Sequence, residues 1–255
     1  MHWHSLVRRF YYDDERTGLP RHEEGAEGMV RDDGTNGSHF PMNDQRKKNA
    51  GSHGLEICFP GLDRLFEVYA DLERQIADFK RGAGIECLRR CTFCCATAKF
   101  VEASIFEMLP LSLHFWEEGR AQEILEKLEG IHPEAPCILL NPHPSDELSG
   151  GCSYYRFRPL ICRLFGFSAR VDKNGRPAIA LCSPLKEFHS GIVERVDQKI
   201  REDLSFPLMP DFSRKVAMIH PHLGQEKYPV NIALLEALEL VGHKIHFLKA
   251  ARRET

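Results

Sequence analysis

The sequence predicts a mainly α-helical domain with one small β-hairpin, an α+β fold in which cysteine-bearing loops converge on one side. Three observations predict it. Apolar residues recur at helical spacing over two long stretches, an Asn-Gly turn separates two short extended runs, and nine cysteines crowd unevenly along 255 residues.

Taken in order, residues 1–54 read as a poorly ordered leader. Glycine, charge and histidine alternate there in short blocks such as Asp32-Asp33-Gly34-Thr35-Asn36-Gly37-Ser38, with too little apolar surface to offset chain entropy. Residues 55–255 read as a single domain with C-terminal helices, order beginning near Cys58. Leu62, Leu65, Phe66, Tyr69, Leu72, Ile76 and Phe79 mark one face of a first helix, with Asp71, Glu73, Arg74 and Lys80 opposite and Gly82 and Gly84 at its end. Val101 to Leu109 predicts a second helix, interrupted near Pro110. Glu102 and Glu107 fall on its surface, while Phe106, Leu109, Phe115 and Trp116 read as core. Ala121 to Leu128 predicts a third, closed by Gly130. Ile131 to Gly151 is rich in Pro, Asn, Ser and Gly and reads as loop. Phe165–Val171 and Pro177–Leu181 flank Asp172-Lys173-Asn174-Gly175, a hairpin signal because Asn-Gly accepts the positive φ angles of a tight turn. Ile192–Leu204 and Asn231–Leu248 complete the helices.

Composition narrows the function classes. Hydrophobic residues make up 42% and charged residues 28%, with a formal net charge of −3. No global basic field draws the chain to nucleic acid or anionic lipid. No apolar run approaches the ~18–20 residues a membrane span needs. The first residues, Met1-His2-Trp3-His4-Ser5-Leu6-Val7-Arg8-Arg9, lack a continuous apolar core of the kind a secretion signal carries. The expectation is a cytoplasmic protein with no membrane and no nucleic-acid partner.

In a reducing compartment a cysteine cluster reads as metal binding before it reads as a disulfide framework, and nine thiols cannot all pair within the chain. Cys58 alone fits the role of a small buried hydrophobe. Cys87, Cys91, Cys94 and Cys95, within nine residues, do not. On a helix, spacings of four and three would place Cys87, Cys91 and Cys94 on one face. Thiolates crowd around an ion because zinc–sulfur bonds are only ~2.3 Å long and the cation offsets their mutual repulsion. Neighbouring Arg89 and Arg90 would lower the thiol pKa values. Cys94 and Cys95 are adjacent, so their side chains lie about 100° apart on a helix. They do not easily serve one tetrahedral ion, and one of them belongs to a second site or stands behind the first.

Cys137, Cys152, Cys162 and Cys182 follow. The segment Cys152-Ser153-Tyr154-Tyr155-Arg156-Phe157-Arg158-Pro159-Leu160-Ile161-Cys162-Arg163 is the most specific text in the chain. With the upstream cluster it resembles the YkgJ-like cysteine-cluster family of zinc- or iron-chelating proteins. Cys87, Cys91, Cys94 and Cys95 match that family's CxxCxxCC-type cluster, with three residues rather than two in the first gap. Cys137-Ile138-Leu139 matches its middle element. Cys152, Tyr155, Arg158, Pro159, Cys162 and Arg163 match its Arg-Pro element, and Cys182 its late cysteine. The resemblance implies that all eight bind zinc or iron, the iron as ions or as a 4Fe-4S cluster, and it implies no particular reaction. The domain also resembles part of flagellin lysine methylases, which are linked to an iron–sulfur cluster.

The residues carry readings of their own. Pro159 shapes the turn between two thiols. Arg163, next to Cys162, is the stronger candidate to offset thiolate charge, ahead of Arg158. Tyr155 reads as a core aromatic. The eight cysteines make two four-ligand sites or one cluster plus spares. An alternative is an iron–sulfur enzyme using S-adenosylmethionine, because Cys87-x-x-x-Cys91-x-Phe93-Cys94 fits the three-cysteine pattern of radical enzymes. That fold needs a long strand–helix series, which the pattern here lacks. A zinc ribbon would show paired C-x-x-C knuckles on a basic surface, and neither is evident. The 13 histidines, including His220, His222, His243 and His246, are spread too widely to define a site.

Overall fold

A computed structural model describes residues 59–88, 91–97, 101–141, 151–171, 173 and 177–251. The expected leader, Cys58, Arg89, Arg90, residues 142–150 of the expected loop and the Asn-Gly turn lie outside the described residues.

The seven apolar residues at helical spacing build α1 (Leu62–Ala83) and are all buried. Each fully buried side chain of this kind contributes about 1.5–3 kcal/mol, so the stripe anchors the helix to the core. Gly84 ends it in the left-handed conformation, at φ 69°, while its N–H bonds the Lys80 carbonyl. Two-residue strand β1 (Glu102–Ala103) then leads into α3 (Ile105–Glu117), with the single-turn α2 (Phe93–Ala96) preceding both.

The second helix differs from its sequence expectation in two ways. It starts at Ile105, because Ser104 forms a capping box with Glu107 and holds Val101–Ala103 extended. It also runs through Pro110 without interruption. A helix-interior proline costs about 3 kcal/mol, and the unbroken buried run from Phe106 to Phe115 outweighs it. Helix α3 is buried all round, the mark of a central core helix. Glu107, expected on the surface, is only 1% exposed.

Helix α4 (Ala121–Leu128) matches its expected bounds. Helix α5 (Leu160–Leu164), the hairpin β2 (Ala169–Val171) and β3 (Pro177–Ile179), α6 (Ser183–Phe188) and α7 (Ile192–Arg201) follow. The hairpin is antiparallel, with Ala169 opposite Ile179. Then come α8 (Met209–Ile219), the short α9 (Pro221–Gly224), β4 (Tyr228–Pro229) and α10 (Val230–Ala251). Strand β4 pairs with β1, an addition to the one expected hairpin, with Glu102 opposite Pro229 and Ala103 opposite Tyr228. This pairing sets the starts of α3 and α10 side by side, and the two helices form the most extensive contact in the fold. The Trp116 indole N–H donates to the Leu238 carbonyl at 2.9 Å. Its ring lies where a Cβ on Gly242 would stand, 2.6 Å from Cζ2. His220 closes the start of α9, its Nδ1 accepting from the Leu223 N–H at 3.2 Å, and packs on Phe106.

Candidate metal centre

Four separate parts of the chain bring cysteines together. Cys87 lies in the coil after α1, and Cys91 precedes α2, which carries Cys94 and Cys95. Cys137 opens a turn that ends at Leu140, and Leu140 forms an isolated antiparallel bridge with Cys152. Cys162 sits in α5, and Cys182 is the residue just before α6. All eight are free thiols, Cys87 exposed and the others half-buried.

Backbone hydrogen bonds hold these parts together. The Cys137 N–H donates to the Cys95 carbonyl at 3.1 Å, and the Gly151 N–H to the Cys91 carbonyl at 3.2 Å. Asn141 N–H to Gly151 O (2.8 Å) and Ser153 N–H to Leu139 O (2.9 Å) close the ladder around Cys152. A Cβ on Gly151 would stand 2.6 Å from the Thr92 methyl and 2.9 Å from its Cα, so only glycine lets these strands of the site approach.

Cys94 interacts electrostatically with Cys87, Cys95, Cys91 and Cys182, and Cys182 with Cys91. Cys95 shares thiol hydrogen bonds with Cys137 and Cys152, and Cys162 interacts with Cys152, Cys95 and Cys94. The eight thiols thus form one connected set. Burial, with the neighbouring thiols adding, pushes the Cys94 thiol up to about 12. The hydrogen bond with Cys137 is the main cause that pushes Cys95 up to about 12. Cys152 rises well above the usual range through its bond with Cys95, and Cys162 does so through burial. These thiols keep their protons at neutral pH, and a metal ion must displace them.

Arg158 is the cation that reaches four of these thiols. Its charge acts to lower Cys87, Cys95, Cys152 and Cys162. Its Nε donates to the Tyr155 carbonyl at 2.9 Å and its Nη1 to the Cys162 carbonyl at 3.3 Å, and its guanidinium stacks 3.5 Å over the Tyr155 ring. This corrects the preference for Arg163. That guanidinium is turned away, committed to Glu73 at 2.6 Å and to the carbonyls of Arg156 and Arg158, over the Tyr69 ring. Adjacency to Cys162 in sequence did not place it beside the sulfur, because residues next to each other on a helix face different ways.

Three supporting residues escaped sequence reasoning. Asn231, 2% exposed at the start of α10, accepts from the Ile138 N–H at 3.0 Å and donates to the Pro136 carbonyl at 3.0 Å, pinning the Cys137 loop. Glu107 accepts from the Ser104 N–H at 2.9 Å, from the Leu160 N–H at 2.9 Å and from Lys227, tying α5 and its cysteine to α3. Glu73 ties α1 to Arg163 and lies 3.9 Å from Arg158. A buried polar residue inside an apolar stripe is the signal that marks Asn231 and Glu107.

Among the described residues, no three His, Cys, Asp or Glu side chains converge as a formed metal seat. The donor set nonetheless suits the ions that soft ligands select, since every candidate ligand is a thiol, as zinc and iron–sulfur clusters take. Backbone N–H groups of Tyr154 and Leu185 already point at the Cys152 and Cys182 sulfurs.

Residues 86–183 match the CxxCxxCC family. Its description reads "Putative zinc- or iron-chelating domain", and the match spans all eight thiols of the site. The resemblance read from the cysteine spacing is thereby borne out. The CxxCxxCC segment is short of half the chain, with α1 ahead of it and α7 to α10 behind. No curated protein matches the chain, and no solved structure does. Among the described residues, no helix is long and apolar enough to cross a membrane.

Proposed function

We propose that this chain binds zinc or iron through Cys87, Cys91, Cys94, Cys95, Cys137, Cys152, Cys162 and Cys182. The observation that carries the reading is the approach of cysteine-bearing segments far apart in the chain, the Cys91–Cys95 segment bonding to Cys137 and Gly151 and Cys152 bridging Leu140. The family match supports the chemistry, zinc or iron chelation. Bound there, an ion neutralises thiolates and cross-links the four parts of the chain; an iron–sulfur cluster would add a site for one electron. Arg158 offsets negative charge beneath the sulfurs, Tyr155 orients Arg158, and Asn231 and Glu107 fix the loops.

The reading that uses S-adenosylmethionine draws less support. Among the described residues the strands form only two two-stranded antiparallel pairs, not the strand–helix series that chemistry is built on. The deciding experiment is elemental analysis of anaerobically purified protein together with its visible spectrum. Zinc without colour points to a closed thiolate site. Iron with an absorption that bleaches under dithionite points to a cluster. Protein with neither metal, and unable to take one up, overturns the proposal.

A further inference from the structure

We propose that the cleft between β1, α5, β2 and α8 binds a free α-amino acid with a small apolar side chain. Among the described residues that line this cleft none is a cysteine, and the proposal stands independently of the metal-binding reading.

The cleft exists because short elements meet there without filling the space between them. Helix α5 touches β1 and α8, and α8 touches β2. They leave a cavity of about 260 Å³. Pockets for drug-sized ligands run from about 300 to 1,000 Å³, so the occupant is a small molecule. Leu160 and Ile161 of α5 and Met209 of α8 give it an apolar wall. Glu107, 1% exposed, lies on its inner side. That carboxylate already accepts the Ser104 and Leu160 N–H groups, and its charge is matched by Lys227. The inner side is therefore polar but electrically neutral.

The opening carries the charges that choose the ligand. Glu102 on β1 and Arg170 on β2 both line the cleft and are exposed. Among the described residues neither forms an ion pair, with the other or with any third group. One uncommitted cation and one uncommitted anion thus face a small apolar cavity. A guanidinium presents planar paired donors that suit a carboxylate, and a carboxylate accepts from an ammonium group. The Ser213 hydroxyl on α8 adds a polar group to the lining. A simple carboxylic acid would meet Arg170 but suffer repulsion from Glu102, and a simple amine would meet the reverse. The lining charges, Glu102, Glu107, Arg170 and Lys227, sum to zero, so no net field favours a singly charged ligand. A zwitterion whose two charges sit on one carbon beside a short apolar chain satisfies both charges and the wall together.

The test titrates the full chain with leucine and with methionine, read by calorimetry and by thermal melt. Saturable heat and a raised melting temperature are expected, because a ligand that binds only the folded chain stabilises it. Isocaproate, which is leucine without its ammonium group, and isoamylamine, which is leucine without its carboxylate, should each bind about tenfold more weakly or worse. Arg170→Gln should weaken leucine by about tenfold and leave isoamylamine no weaker, while Glu102→Gln should weaken leucine and leave isocaproate no weaker. Both side chains are exposed, so these variants keep the fold. Met209→Trp, which fills the cavity, should abolish leucine binding. The inference is overturned by the absence of heat and melting shift with both amino acids at millimolar concentration. It is equally overturned by either analogue binding as tightly as leucine, or by leucine binding that survives Arg170→Gln unchanged.

Discussion

At the scale of single residues, the site is held by groups that do not themselves carry sulfur. Asn231 satisfies the Ile138 N–H and the Pro136 carbonyl from inside the protein. Replacing it with alanine strands buried polar groups at about 1–3 kcal/mol. Asn231→Ala is expected to lower the melting temperature and to weaken metal retention, and unchanged values in a thermal melt and metal assay would count against the pinning role. Gly151 makes a sterner case. Gly151→Ala drives a methyl into Thr92, including its backbone, so the Cys91 and Cys152 segments must part; the expected cost is about 1–3 kcal/mol. Serine at Cys91 or Cys162 should reduce bound metal, while Cys58→Ser, upstream of the matched segment, should leave elemental analysis unchanged.

At the scale of elements, the fold uses one acidic residue at each of two junctions. Glu107 joins the capping box of α3 to the first turn of α5. Its removal leaves the Ser104 and Leu160 donors without a partner, so Glu107→Ala should destabilise by about 2–4 kcal/mol in a denaturant titration. Glu73 joins α1 to Arg163 and Arg158. Burial acts to raise its pKa, but the two arginines outweigh it and hold its carboxyl below the usual range. A depressed folded-state pKa contributes stability above the unfolded value, and that contribution is lost as pH falls through the folded value. The acid side of the stability curve, below about pH 4.5, is therefore expected to flatten in Glu73→Gln. A wild-type slope there would show that Glu73 does not set it.

Long elements with a clean period were legible in the sequence. The stripe of α1 and the bounds of α4 follow from apolar spacing, since one buried face suffices to define each. The extent of α10 was legible too, but of the spaced residues Ile232, Leu235, Leu238, Val241, Ile245 and Leu248 only Leu238 and Val241 are buried, because Val230, Ala233, Leu234 and Ala237 turn the packed face toward α3. Helix α3 was misjudged because burial on every side erases the period, and because a proline reads as a break when local cost alone is weighed. The β1–β4 pair gave no local signal, being set by contacts between distant segments. The candidate thiols could be named from spacing, but their neighbours could not. Which cysteine segments meet depends on α2 and on the bridge at Cys152, both decided by tertiary packing.

At the scale of the whole molecule, the centre and the core are linked through α10, whose first turn holds the Cys137 loop and whose length packs on α3. Metal binding in such a site is folding free energy. Stripping metal at neutral pH should lower the melting temperature by about 5–15 °C, given how stability maps onto melting for chains of this size. An unshifted melt would mean the ion does not brace the fold.

The brace on the Cys137 loop also comes late in the chain. Asn231 lies 49 residues beyond Cys182, the last of the eight thiols. During synthesis every such sulfur therefore leaves the ribosome before the residue that steadies their loop has been made.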